Sequence, residues 1–262
     1  MEALFVREAG RIVPCEGALS PWAGDRLHGG PVQGLLAYAA QATVDDGFQL
    51  TRLTADLFAP VPNEPLELEV SHLRDGRRIQ LIQVSIMASG REVSRGTSLF
   101  MRRGEGTFCD LDHTVPPGPD GLPTRSFISE RRRAKMRPGF HMKAETRWPE
   151  RLPGQPKAIW FRMPLSLMAD QALDPTIAAV TLSDFNSGIS SIMAYEDGRP
   201  GSHLNADATM YFERAPIGEW FCLVADRQSD ADAISISQVT HYDVNGRFGR
   251  SIQARLETPF EQ

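Results

Sequence analysis

The chain has 262 residues, 41% hydrophobic and 23% charged, a length that suits one large domain or two compact halves and a composition that excludes disorder, collagen and coiled coil. Lys and Arg number 28 against 33 Asp and Glu, for a net charge of -5, so no global basic field is present to hold a nucleic acid. Apolar runs such as Leu35 to Ala40 fall far short of the ~20 residues of a membrane span, and Met1-Glu2-Ala3-Leu4 lacks the basic start of a signal peptide, so a soluble, cytoplasmic protein with no membrane partner is expected.

Gly29-Gly30-Pro31 opens the first long apolar run, Val32 to Val44, in which Leu35, Leu36, Ala37, Tyr38, Ala39, Ala40 and Ala42 leave almost no polar face. Gly30 at the cap and Pro31 at the first helical position are start signals. A helix apolar all round must be enclosed by protein. Four strand-like runs follow, at Leu50 to Phe58, Leu66 to Arg74, Arg78 to Ala88 and Glu92 to Met101. Pro60-Val61-Pro62-Asn63, Asp75-Gly76 and Ser89-Gly90 divide them, and the last two are hairpin dipeptides.

Residues 103 to 138 change character, with Pro116-Pro117-Gly118-Pro119-Asp120-Gly121 and then Ser129-Glu130-Arg131-Arg132-Arg133-Ala134-Lys135, a linker by composition. Beyond it the first pattern recurs. Asp174-Pro175 caps a second mostly apolar helix, Thr176 to Phe185, and four more strands are expected at Ala206 to Phe212, Trp220 to Asp226, Ala233 to Tyr242 and Phe248 to Leu256.

The repeat is visible in letters too: Ile79 to Ser85 reads IQLIQVS and Ile234 to Thr240 reads ISISQVT, while Ala59-Pro60-Val61 and Ala215-Pro216-Ile217 lie 156 residues apart. Two copies at so long a period indicate a tandem duplication, each copy a strand, a buried helix and a four-strand antiparallel meander. The expected fold is α+β, a double hotdog of two antiparallel sheets each wrapped around a central helix, with the sheet edges paired so that neither stays exposed. Its expected divisions are an N-terminal hotdog at 1–104, a linker at 105–137 and a C-terminal hotdog at 138–262.

At this point the sequence resembles the tandem-hotdog acyl-CoA thioesterases, the bacterial thioesterase II type and its thioesterase-like relatives. In the first half the likeness rests on His28-Gly29-Gly30 and Phe58-Ala59-Pro60-Val61. In the second it rests on Leu182-Ser183-Asp184-Phe185, on the run from Asn205 to Arg214, on Gly218-Glu219-Trp220 and on Gly249-Arg250-Ser251-Ile252-Gln253. The resemblance implies a catalytic set of a helical Asp, a Ser or Thr entering the next strand and a Gln on the last strand. By motif position these fall on Asp184, Asn205 and Gln253, and Asn205 departs from the Ser/Thr pattern. An amide still holds a water by hydrogen bonds, though it is no hydroxyl.

Chemistry bears on these residues separately. A carboxylate among Ile177, Ala178, Ala179, Val180, Leu182 and Phe185 is costly unless partnered; Asp184 is either functional or a helix end that has reached solvent. Gln253 alternates with Ile252 and Ala254, as a solvated face also would. Gly29 and Gly30 serve either close backbone packing or an oxyanion hole at a helix start. His28 is either a substrate-binding residue or incidental. The basic run from Arg131 to Arg137 either meets CoA phosphates or is solvated. Aligned on Pro31 and Pro175, Ala40 stands where the second helix has Asp184, and aligned on the strands Thr97 stands opposite Gln253, so one active site per chain is expected.

Cys15, Cys109 and Cys222 are scattered and odd in number, which suggests neither a disulfide framework nor a thiolate zinc site, and reduced structural thiols are expected. No metal spacing and no G-x-S-x-G elbow is present. The reading is a thioester hydrolase acting on acyl-CoA by water activation, without metal or other cofactor, with homo-oligomer formation left open. The alternative is a non-catalytic acyl or acyl-CoA binding protein.

Overall fold

A computed structural model describes residues 2–21, 24–106, 116–150, 158–194 and 202–258. The chain begins with a hairpin, β1 (Ala3–Glu8) and β2 (Arg11–Pro14), whose turn residues Ala9 and Gly10 both have positive φ, 47° and 82°, the conformation that matches the twist of paired strands. The apolar run after Gly29 is helix α1 (Gly29–Gln41), with His28 as its N-cap. It is buried almost all round, against the inner face of the strands that follow and against a helix of the second half.

Those strands are β3 (Phe48–Leu57), β4 (Leu66–Asp75), β5 (Ile79–Ala88) and β6 (Arg91–Arg102). The tight turn expected at Ser89-Gly90 is there, with φ of 47° and 76°. The meander is not. The spatial order is β3-β6-β5-β4, because the Pro60-Val61-Pro62 segment carries the chain across to the far side instead of turning it back. Prolines cannot donate to a ladder, and this crossing is pinned by Leu27 N–H to Val61 O at 2.8 Å and Asn63 N–H to Asp25 O at 2.7 Å.

The second half runs through short helical turns α2 (Glu130–Arg133) and α3 (Phe140–Lys143), then β7 (Glu145–Arg147), β8 (Ala158–Arg162) and β9 (Ser166–Met168). The expected second helix divides at Asp184 into α4 (Pro175–Ser183) and α5 (Asn186–Ala194), the latter absent from the sequence reading. β10 (Ser202–Asn205), β11 (Asp207–Phe212), β12 (Trp220–Ala231), β13 (Ile234–Asp243) and β14 (Gly246–Thr258) complete the chain. Their order β11-β14-β13-β12 repeats that of the first half.

The edges of the two expected sheets are paired, so that they run on as one. Antiparallel pairing of β3 with β11, from Arg52 opposite Tyr211 to Asp56 opposite Asp207, joins the halves into a 14-stranded sheet. The sheet is mixed, since β1 pairs parallel with β9. Burying two edge strands against each other removes unpaired backbone groups from solvent.

The ladders also correct one alignment. Ile82 pairs with Ser98 in the first half and Ser237 with Gln253 in the second, and Ile82 matches Ser237 in the repeated heptapeptide. The counterpart of Gln253 is therefore the buried Ser98; Thr97 faces the other side, as a one-residue slip in a period-two strand requires. Cys15 and Cys222 are free thiols, and Cys109 lies outside the described residues.

Candidate active site

Helices α1 and α4 lie antiparallel at van der Waals distance. A Cβ on Gly30 would stand 2.4 Å from the Thr181 carbonyl oxygen, and one on Gly34 2.2 Å from Thr181 Oγ1, so glycine is required at both crossings. This approach delivers the positive end of α1 to the C-cap of α4, which is Asp184. A carboxylate is unfavourable at the C-terminus of its own helix and favourable at the N-terminus of another. A Cβ on Gly29 would sit 2.9 Å from each Asp184 oxygen, so Gly29 too is there for close approach.

The Asp184 side chain is 6% exposed and well supplied with donors. Gln33 Nε2 donates to its Oδ1 at 3.1 Å and Asn205 Nδ2 to the same oxygen at 3.0 Å. His28 Nδ1 lies 2.8 Å from Oδ2, and the Gly30 N–H adds a fourth bond. Burial pushes the carboxyl up, but the His28 bond and charge, the Asn205 amide and the Gly30 N–H outweigh it and hold Asp184 below its ordinary value. His28 Nδ1 is also 3.3 Å from the Gly30 N–H. The shorter contact needs a proton on Nδ1, which leaves Nε2 as the acceptor of the neutral ring. The His28 side chain, 15% exposed, is the most accessible side chain of the pair, with Phe140 and Phe185 beside it at centroid distances of 5.2 and 5.8 Å.

Five of the six residues singled out in the sequence thus converge: His28, Gly29, Gly30, Asp184 and Asn205. The Gly30 N–H, read as a possible carbonyl donor, is already spent on Asp184. Asn205, at the end of β10, stands opposite Arg255 on β14. Gln253, two residues along β14 on the same face, is fully buried and makes no hydrogen bond to Asp184. Both of its amide atoms lack a partner among the described residues, as does Asn205 Oδ1.

Gln33 escaped the sequence reading. It is 1% exposed, and Ser183 Oγ lies 3.3 Å from its Oε1. The signal was present, because it is the one amide between Val32 and Ala40, and a polar group in an enclosed helix must have a partner.

The far end of the helix pair differs. There Asp174 spends a carboxylate oxygen capping Thr176 and Ile177, and Gln41 donates to the other at 3.2 Å. A cleft of about 610 Å³ opens beside it, lined by Tyr38, Asp45, Leu50, Phe100 and Leu173 among others. No member of the Asp184 cluster lines that cleft, so its size is no argument for catalysis there. Among the described residues no three His, Cys, Asp or Glu form a metal-holding group, and no helix is long and apolar enough to cross a membrane.

Two family profiles match the chain in tandem, the acyl-CoA thioesterase N-terminal domain over residues 18–101 and the acyl-CoA thioesterase C-terminal domain over residues 114–256. No curated protein sequence matches it. Among solved structures, the acyl-CoA thioesterase II TesB2 of Mycobacterium marinum aligns with a TM-score of 0.68 at 21% identity, covering 89% of this chain and 90% of that one. A protein of Alicyclobacillus acidocaldarius described as having a hot dog fold aligns with a TM-score of 0.74 at 17% identity, covering 97% and 95%. At such identities these likenesses show the fold.

Proposed function

Because the chain belongs to the acyl-CoA thioesterase family and is a thioester hydrolase, we propose that its reaction, R-CO-S-CoA plus water to acid and free CoA thiol, runs at the Asp184–His28 pair. The observation that carries this is the buried carboxylate held at the start of α1 by donors from both halves. A carboxylate kept ionised and fully engaged is a poor primary base and a good anchor. It holds the Nδ1–H of His28 and stabilises the ring as Nε2 takes a proton from the attacking water. The water's hydroxide forms the bond to the acyl carbon, the C–S bond breaks, and the proton leaves on the CoA thiol.

Asn205 holds the carboxylate through Nδ2, which is a donor just as the hydroxyl of the Ser/Thr pattern is, so the departure is chemically conservative. Its Oδ1 and the amide of Gln253 orient the water. We read residues 1–104 and 138–262 as the two hotdog units and 105–137 as their connection, a division supported by the repeated strand order.

Free-thiol release from a panel of acyl-CoA esters tests this. Asp184→Asn, nearly isosteric, should lower kcat by ~100- to 10,000-fold while acyl-CoA affinity stays within a small factor, and His28→Ala should fall in the same range. Retention of more than about a tenth of kcat by the folded Asp184→Asn protein would refute the role given to the pair.

A further inference from the structure

At two matched inward positions the second-half sheet is polar where the first half is apolar. The matched ladders set Ile82 against Ser237, Ser98 against Gln253 and Phe100 against Arg255. Ile82 and Phe100 are core residues at 0% and 1% exposure. In the second half their equivalents Ser237 and Arg255 are as buried and polar, at 0% and 2%, while Gln253 and Ser235 answer to residues already polar in the first half, Ser98 and Gln80. Neither Ser235 Oγ nor Ser237 Oγ has a hydrogen-bond partner among the described residues, nor does Ser190 Oγ on α5. Buried polar groups are normally satisfied, and hydroxyls left open on this sheet and on the helix packed against it indicate something that the protein alone does not contain.

Their place connects them to the chemistry. Asn205, which holds Asp184, stands opposite Arg255, and Arg255 opposite Ser235; Gln253 and Ser237 form the next row. The first turn of α5 covers them, with Asn186 Nδ2 donating to Ser251 Oγ and Arg255 Nη1 donating to the Ser187 carbonyl at 2.9 Å. Two strand spacings of about 4.8 Å put Ser235 roughly 10 Å from Asn205, and two residues of strand rise put Ser237 at about 12 Å, within reach of the far end of a medium-length acyl chain.

We infer that this face is an acyl subsite for a chain bearing a neutral oxygen function, a hydroxyl foremost, several carbons from the thioester. Serine hydroxyls both donate and accept, which suits a hydroxyl, whereas a plain alkyl chain would bury these groups unpaired. The inference rests on the thioesterase reading above, and deepens it to a substrate class.

The test compares octanoyl-CoA with 8-hydroxyoctanoyl-CoA on the full chain, by thiol release and by calorimetric binding. The hydroxylated ester should have a kcat/KM at least about tenfold higher, since sites built to hydrogen-bond a substrate reject the analogue that lacks the group. Ser237→Ile, which installs the first-half residue, should reduce that preference to within threefold and leave octanoyl-CoA turnover within threefold. Ser237→Ala supplies the same comparison if the larger residue does not fold. Equal or better use of octanoyl-CoA by the native protein would mean that internal water alone fills the face, and the inference falls. If neither ester is cleaved, the catalytic reading fails, and the binding ratio still decides the subsite.

Discussion

Gln33 carries the first half into the chemistry of the second, for its Nε2 reaches Asp184 across 151 residues of sequence. Gln33→Leu keeps the volume and removes the donor. Since Asn205 still holds the same oxygen, the expected loss is about tenfold in kcat, the worth of one positioning hydrogen bond, with KM unchanged in steady-state kinetics. An effect on KM alone would make Gln33 a packing residue. Asp184 itself also links stability to pH. Its folded pKa lies below its ordinary value of 3.8, so its contribution is present above that pH and lost as the pH falls through the folded value. The stability gap between the native protein and Asp184→Asn, read by denaturant unfolding, should be widest near neutrality and close in acid. A gap that widens in acid would contradict the hydrogen-bond assignment.

At the level of elements, the close crossing of α1 and α4 is the feature that positions the site. Gly34→Ala places a Cβ 2.2 Å from Thr181 Oγ1 and 2.9 Å from Leu167 Cδ1, and overpacking of this kind costs about 1–3 kcal/mol despite the better helix propensity of Ala. Thr181→Ala in the same chain should recover part of the loss, and a thermal-denaturation double-mutant cycle measures the coupling. Strictly additive losses would show that the contact is not shared. This crossing was only half legible in the sequence. The enclosed character of α1 follows from its lack of a polar face, and its approximate start from Gly29-Gly30-Pro31, although the cap is His28 rather than the expected Gly30. Which helix lies against it does not follow, because apolar residues carry no address. Strand limits at Ser89-Gly90 were legible for a local reason, turn stereochemistry. The order β3-β6-β5-β4 was not, since period-two alternation fixes faces rather than neighbours. Asp184 and Asn205 were found by motif, and Gln33, inside an apolar helix, needed the partner to give it meaning.

For the whole molecule, two buried histidines predict acid sensitivity. Burial first, then the positive charges of His28 and Arg133, push His141 down to about 4, and burial pushes His241 down to about 3. Both rings stay neutral in the folded protein and take up protons in the unfolded chain below its ordinary value of 6.5. Stability is therefore complete above that value and declines as the pH falls towards 4. His141, whose ring nitrogens have no partner among the described residues, is the better one to change. His141→Phe should flatten the fall in Tm between pH 6.5 and 4, and an unchanged slope would clear this residue of the effect.

The seam between β3 and β11 has a kinetic meaning. Its pairs, such as Thr54 with Thr209, whose hydroxyls lie 3.2 Å apart, join segments more than half the chain apart, and the Asp184 carboxylate is reached by Gln33 over a comparable span. Loops that long close late. A chain emerging from the ribosome therefore carries no working hydrolase until its second half has been made and docked on the first. In refolding, recovered thiol release should trail the far-ultraviolet signal of local helices and hairpins, and should appear together with the protection of β3 and β11 amides from hydrogen exchange. Catalysis is then a clock for the last long-range step of folding.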